Sequence, residues 1–159
     1  RDRLRVSGRR PVLPVRDQTE LYEADILVTA TTSKTPVLHG SHLRAGTHIN
    51  AIGANRPERC EIDDFVVRKC AAVAVDNKAQ AKKESTALGL AVGTGVITWD
   101  DVTELGECIQ RADKRQRQPE DITLYNSHGV AMEDVALAKK AYDLARELGV
   151  GYPVPLTMT

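Results

Sequence analysis

Two apolar runs, Ile26-Leu27-Val28-Thr29-Ala30-Thr31 and His48-Ile49-Asn50-Ala51-Ile52-Gly53, each follow turn residues and each end in small or polar ones. Short continuous runs of this kind read as parallel strands buried on both faces. A parallel sheet gathers its ligand outside the carboxyl ends of its strands. The residues just past the two runs, Thr31-Thr32-Ser33-Lys34-Thr35 and Gly53-Ala54-Asn55-Arg56-Pro57, are therefore the first place to look for chemistry.

The rest of the chain supplies partners for such a sheet. Ala71 to Asp76 reads as a third buried strand ending in an acid, and Ile122 to Tyr125 as a fourth, followed by the turn Asn126-Ser127-His128-Gly129. Pro11 to Val15 is apolar, but its two prolines lack ladder donors, so a strand there belongs at an edge. Between the strands lie helical segments. Asp17 caps a short helix to Ala24 with Leu21 and Ala24 on one face, and Glu61 to Lys69 places Ile62, Phe65 and Val66 at helical spacing. Lys78 to Ala87 reads as helix, Leu88 to Gly95 as a glycine-rich loop, and Asp100 to Ile109 as a helix with Val102, Leu105 and Ile109 inward. Arg111 to Glu120 has almost no apolar residue and reads as an exposed connection. The last helix, Val130 to Leu148, carries an apolar stripe wide enough to pack on two sides and ends at Gly149. Strands alternating with helices make a doubly wound α/β sheet the expected architecture.

At 159 residues the chain suffices for one domain, which at this size buries roughly 68–70% of its unfolded surface. Its 22 basic and 22 acidic residues are interspersed, which argues against nucleic acid or an acidic membrane surface and for small molecules or further copies of the chain as partners. No run is long enough to span a membrane and no signal peptide opens the sequence, so a cytoplasmic protein is expected. Cys60, Cys70 and Cys108 read as reduced thiols. His39, His42, His48 and Cys60 fit no standard zinc spacing, so no metal is expected. The sequence opens on Arg1 and shows no glycine-rich turn before its first strand, which points to an absent beginning.

Taken in order, ADILVTATTSKTPVL, GTHINAIGANRPERCEIDD, AVAVDNKAQAKKES, GVITWDDVTELGE and ITLYNSHGVAMEDVALAKKAYDLA resemble the ornithine cyclodeaminase and μ-crystallin family over roughly residues 11 to 156. The resemblance implies a Rossmann-like domain binding NAD or NADP, and hydride transfer between the nicotinamide and an amino acid, imino acid or cyclic ketimine. By position, it implies that Thr31, Thr32 and Ser33 line the cofactor cleft and that Gly53, Ala54 and Asn55 reach the nicotinamide end. Asp76 then closes the next strand near the cleft, and Ser127, His128 and Gly129 lie against the nicotinamide. The cyclodeaminases carry an aspartate as base or proton relay where this chain has Asn55. An amide orients by hydrogen bonds but takes no proton at neutral pH, which favours an imine-reducing activity over the cyclodeaminase lyase reaction.

The family's G-x-G-x-x-G turn is absent, because Gly93-Thr94-Gly95 is followed by Thr98 where a third glycine is needed. The expectation is an incomplete Rossmann-like parallel sheet with flanking helices over 1–159, lacking the family's first βαβ unit. Its N-terminal substrate and dimerisation domain, with the catalytic lysine and the substrate-binding arginine, is lacking too. In the usual strand order 3-2-1-4-5-6 the Ile26 strand would then present an apolar edge, and for a chain complete as given a homodimer joined there or by exchange of the N-terminal segment is expected. A second class of reading is a non-catalytic remnant that binds nucleotide or self-associates. Local readings also exist for single residues: His128 as a turn histidine satisfied by backbone, Asp76 as a helix cap, and Ser33 and Thr35 as braces of their own loop.

Overall fold

Among the described residues five parallel strands form one sheet: β1 (Ile26–Thr29), β2 (His48–Ala51), β3 (Cys70–Val75), β4 (Val102–Glu104) and β5 (Ile122–Asn126), in the order β1-β2-β5-β3-β4. The computed structural model describes residues 14–15, 17–110, 117–152 and 154. It divides into two units, Arg1–His128 and Gly129–Thr159. The chain steps outward from β1 through β2 to β3 and β4, then returns to insert β5 between β2 and β3. That return brings the ends of β2, β5 and β3 side by side. It also confirms the α/β parallel sheet with flanking helices.

The helices are α1 (Asp64–Lys69), α2 (Lys78–Glu84), α3 (Thr86–Gly93), α4 (Leu105–Gln110) and, in the second unit, α5 (Ala131–Leu148). Val66 and Val67 of α1 and Ala87, Leu88 and Ala91 of α3 join Leu27, Ile49, Val73 and Leu124 of the strands in one buried cluster. The starts of α1, α2 and α3 have a chemical reason. Asp63, Asn77 and Ser85 sit in extended backbone and accept from the amides of Val66, Gln80 and Leu88, the donors that a first turn leaves unpaired. Asp64 opens α1 and Arg68 and Lys69 close it, as the helix dipole favours.

Several expectations need correction. The first two strands stop at Thr29 and Ala51, two residues short, and they alternate in burial: Leu27 and Thr29 are buried while Ile26 and Val28 are 60% and 59% exposed. An apolar run thus hid a period of two, because Ile and Val fill an exposed strand position as readily as a buried one. The segment after Asp17 is a 3-10 helix, Gln18–Glu23, and its tighter winding buries Tyr22 in place of Leu21 and Ala24. Ile62 precedes α1 and bridges Leu38 in parallel, so Phe65 points outward and Val67 inward. Residues 88–95 are mostly helix, not loop, because Ser85 starts a new helix whose Gly89 and Gly93 lie away from the core. Residues 102–104 are a strand, with Ile109 exposed.

Of the proposed edge strand, Pro14 and Val15 form no strand and 11–13 lie outside the described residues, as do 111–116 of the charged connection. In the second unit α5 forms as expected and ends on Gly149 at φ +62°.

Candidate active site at the carboxyl edge of the sheet

A buried carboxylate joins the first two site loops. Glu61, only 1% exposed, accepts from the Thr31 amide at 2.5 Å through Oε1. Its Oε2 accepts from the Gly53 amide at 2.7 Å and from Thr29 Oγ1 at 3.0 Å. The Ile52 amide also donates to the Thr29 carbonyl. Two N–H donors and one O–H donor thus satisfy a carboxyl group that would be costly to bury unpaired. Glu61 was not among the expected site residues: beside Asp63 and Asp64 it reads as one more first-turn acid. No local signal distinguishes it, since its partners lie 8 to 32 positions away.

The next two strand ends are joined by Asp76. Its Oδ2 accepts from Ser127 Oγ at 3.0 Å and from the His128 amide at 2.9 Å. The helix cap for α2 is Asn77, so Asp76 spans from β3 to β5 instead of capping. Asn126, buried at the end of β5, donates to the Ala51 carbonyl and accepts from Ser85 Oγ at 2.7 Å, and the Ser127 amide reaches Ala51 as well. Ala51 therefore links the two groups of loops, and the edge from Thr31 through Gly53 and Ser127 to Asp76 is continuous.

His128 is 6% exposed, and neither ring nitrogen meets a hydrogen-bond partner among the described residues. Burial lowers its pKa below the ordinary histidine value, with Asp76 and Glu84 partly opposing by their negative charge. A neutral imidazole follows, with one nitrogen able to donate and the other to accept. The reading of His128 as a turn histidine satisfied by backbone groups does not hold for the side chain.

The remaining expected residues divide. Thr31 and Thr32 are exposed and Ala54 is buried just past β2. The Asn55 side-chain oxygen Oδ1 accepts from Arg59 Nη1 at 3.1 Å, which fixes the side-chain amide. Ser33 is turned into its own loop, donating to the Thr35 carbonyl at 2.6 Å while its carbonyl accepts from the Cys60 amide. Gly129, at φ +77°, opens the second unit. No cluster of three or more potential metal ligands occurs among the described residues, and no helix there is long and apolar enough to cross a membrane.

A family model, the ornithine cyclodeaminase/mu-crystallin family, matches residues 8–149. The chain belongs to that family. An alanine dehydrogenase of Archaeoglobus fulgidus is 39% identical over 138 residues, which are 86% of this chain and 42% of that protein. A Delta(1)-pyrroline-2-carboxylate reductase of Bacillus cereus is 37% identical over 132 residues, 82% of this chain and 40% of the relative. Among solved structures, the Thermococcus litoralis Delta(1)-pyrroline-2-carboxylate reductase in complex with NADH and L-proline aligns with a TM-score of 0.77 at 37% identity. That alignment covers 86% of this chain and 42% of that one. The chain spans about two fifths of the length of these family members.

Proposed function

We propose that this chain is the nicotinamide-holding part of an NAD(P)-dependent oxidoreductase of the cyclodeaminase and μ-crystallin family, acting on an amino acid or its imino form. The observation that carries the proposal is His128. A buried imidazole with both nitrogens unpartnered among the described residues, on a turn whose backbone amide Asp76 holds at the carboxyl edge of a parallel sheet, is the environment a polar planar ligand would complete. The solved relative with NADH supports the cofactor class.

The residues present fit such a group. Thr31, Thr32, Gly53, Ala54 and Asn55 would line one side, and Ser127 and His128 the other; Asp76 would act through Ser127 and His128. Ser33 is better placed as a loop brace. By the family resemblance these loops would serve the nicotinamide end of the cofactor. When bound, the cofactor supplies or receives the hydride. His128 is suited to orienting a polar ligand, donating through one nitrogen and accepting through the other. Asn55, held by Arg59, orients and does not take a proton. The proton that an imine nitrogen gains on reduction must therefore come from another group. This disfavours the lyase reading for the chain, and Asn55→Asp restoring ornithine turnover in a full-length context would revive it.

Calorimetric titration of the 159-residue chain with NADH and then NADPH tests the proposal. Saturable heat, weakened at least tenfold by His128→Ala, is the expected result. No heat at millimolar cofactor overturns it and leaves the reading of a non-catalytic, self-associating module. One observation favours self-association in either case: β1 is one of two edge strands among the described residues and exposes Ile26 and Val28. We infer a homodimer through that edge; a compact monomer in sedimentation would refute it.

A further inference from the structure

We propose that Glu61 is a positioning residue that sets the spacing of the two cofactor-lining loops, by fastening the Thr31 and Gly53 amides to the two oxygens of one buried carboxylate. The inference rests on the cofactor reading above and adds to it a residue that touches no ligand.

Three observations converge on Glu61. Its two oxygens are divided between the loops: Oε1 takes Thr31 and Oε2 takes Gly53 together with the Thr29 hydroxyl. The loops themselves are in near contact, because a Cβ built on Gly53 would lie 2.3 Å from both the nitrogen and the carbonyl oxygen of Thr31 and 2.5 Å from Glu61 Oε1. Finally, Glu61 is itself tied down. Its carbonyl accepts from the Val37 and Leu38 amides, and Ile62 beside it bridges Leu38. The carboxylate is thus fixed to the sheet's flank, and the loops are fixed to the carboxylate.

The chemistry requires an acceptor on both sides. Two backbone N–H groups and one hydroxyl converge, and only a carboxylate presents acceptors at both terminal atoms. Glutamine would turn an NH2 toward either Thr31 or Gly53, so one N–H would face another donor. The affected loop would withdraw, and with it the part of the cleft wall that it forms. Hydrogen bonds to a charged group are short and directional, so the spacing they set is narrow. A positioning error of about 1 Å in such a wall is enough to cost on the order of 100-fold in a reaction that depends on orientation.

The test uses the whole chain, with NADH as probe and Val67→Ala as a control of comparable stability loss, since Val67 lies in the core outside the site. Glu61→Gln is expected to weaken NADH binding at least tenfold and to shift the Thr31 and Gly53 amide resonances. Val67→Ala should bind within twofold of wild type and leave those resonances in place. If Glu61→Gln does not fold, Glu61→Asp retains the charge one methylene short and is expected to show the same loss of affinity to a smaller degree. Wild-type affinity in the glutamate variant, or equal weakening in the valine control, overturns the proposal while leaving the cofactor reading intact. Failure of the wild-type chain to bind NADH overturns both.

Discussion

Asp76 holds the backbone amide of His128 at 2.9 Å while the imidazole of the same histidine is buried with neither nitrogen partnered among the described residues. Main chain and side chain are thus treated oppositely. The backbone of the turn is fixed to the end of β3, and the ring is left with unused hydrogen-bonding capacity at the carboxyl edge of the sheet. A native fold rarely leaves a buried polar side chain in that condition without a ligand or a solvent molecule to complete it.

Removing the carboxylate separates these two effects. Asp76→Ala deletes the acceptor for both Ser127 Oγ and the His128 amide. A hydrogen bond to a charged acceptor contributes on the order of 1.5–3 kcal/mol, so urea unfolding should show a loss of about 2–3 kcal/mol, and Asp76→Asn, which keeps one acceptor, about 1 kcal/mol. Because the Asp76 charge raises the His128 pKa against the lowering by burial, both variants should titrate His128 at lower pH than wild type by imidazole NMR. An unchanged or higher His128 pKa would show that the two side chains do not interact electrically.

The pH dependence of stability follows from the same histidine. Burial makes its folded pKa lower than its unfolded value near 6.5, so the unfolded chain binds the proton more readily. The neutral ring's contribution is fully present above the unfolded pKa and is lost as pH falls below it toward the folded value. Urea midpoints should therefore drop between pH 7.5 and pH 5.5, and His128→Gln should show a smaller drop over the same range. Equal drops in both proteins would assign the acid sensitivity to other groups.

How far the sequence alone leads depends on whether a residue acts through its neighbours in the chain or across the sheet. The runs at Ile26 and His48 are legible as strands because their apolar and β-branched residues lie between turn residues, and Asp17 caps the segment after it because its acceptor serves Thr19, two positions on. Val102-Thr103-Glu104 fails for the opposite reason. Val102, Leu105 and Ile109 satisfy helical spacing, yet pairing with Val73, Ala74 and Val75 makes the first three residues a strand. Gly89 and Gly93 suggest a loop, yet the Ser85 cap and the burial of Ala87, Leu88 and Ala91 hold a helix through both. At the site, Gly53 and Ser127 follow from their places at strand ends. Glu61 does not, because its function is defined by Thr29 and Thr31, which only the fold brings to it.

Two glycines predict opposite responses to the same substitution. Gly89 lies exposed inside α3, and a Cβ there meets nothing within 4 Å. Alanine is favoured over glycine at a helix interior by about 0.5–1 kcal/mol, so Gly89→Ala should stabilise the chain by that amount. At Gly53 the added carbon would sit 2.3 Å from the Thr31 backbone, and neither loop can yield without stretching its bond to Glu61. Overpacking of this kind costs about 1–3 kcal/mol. Gly53→Ala should therefore lower the urea midpoint and, unlike Gly89→Ala, shift the Thr31 amide resonance and weaken NADH binding. If both variants bind NADH as wild type does, the close approach of Gly53 to Thr31 serves packing alone and the cofactor does not use this part of the edge.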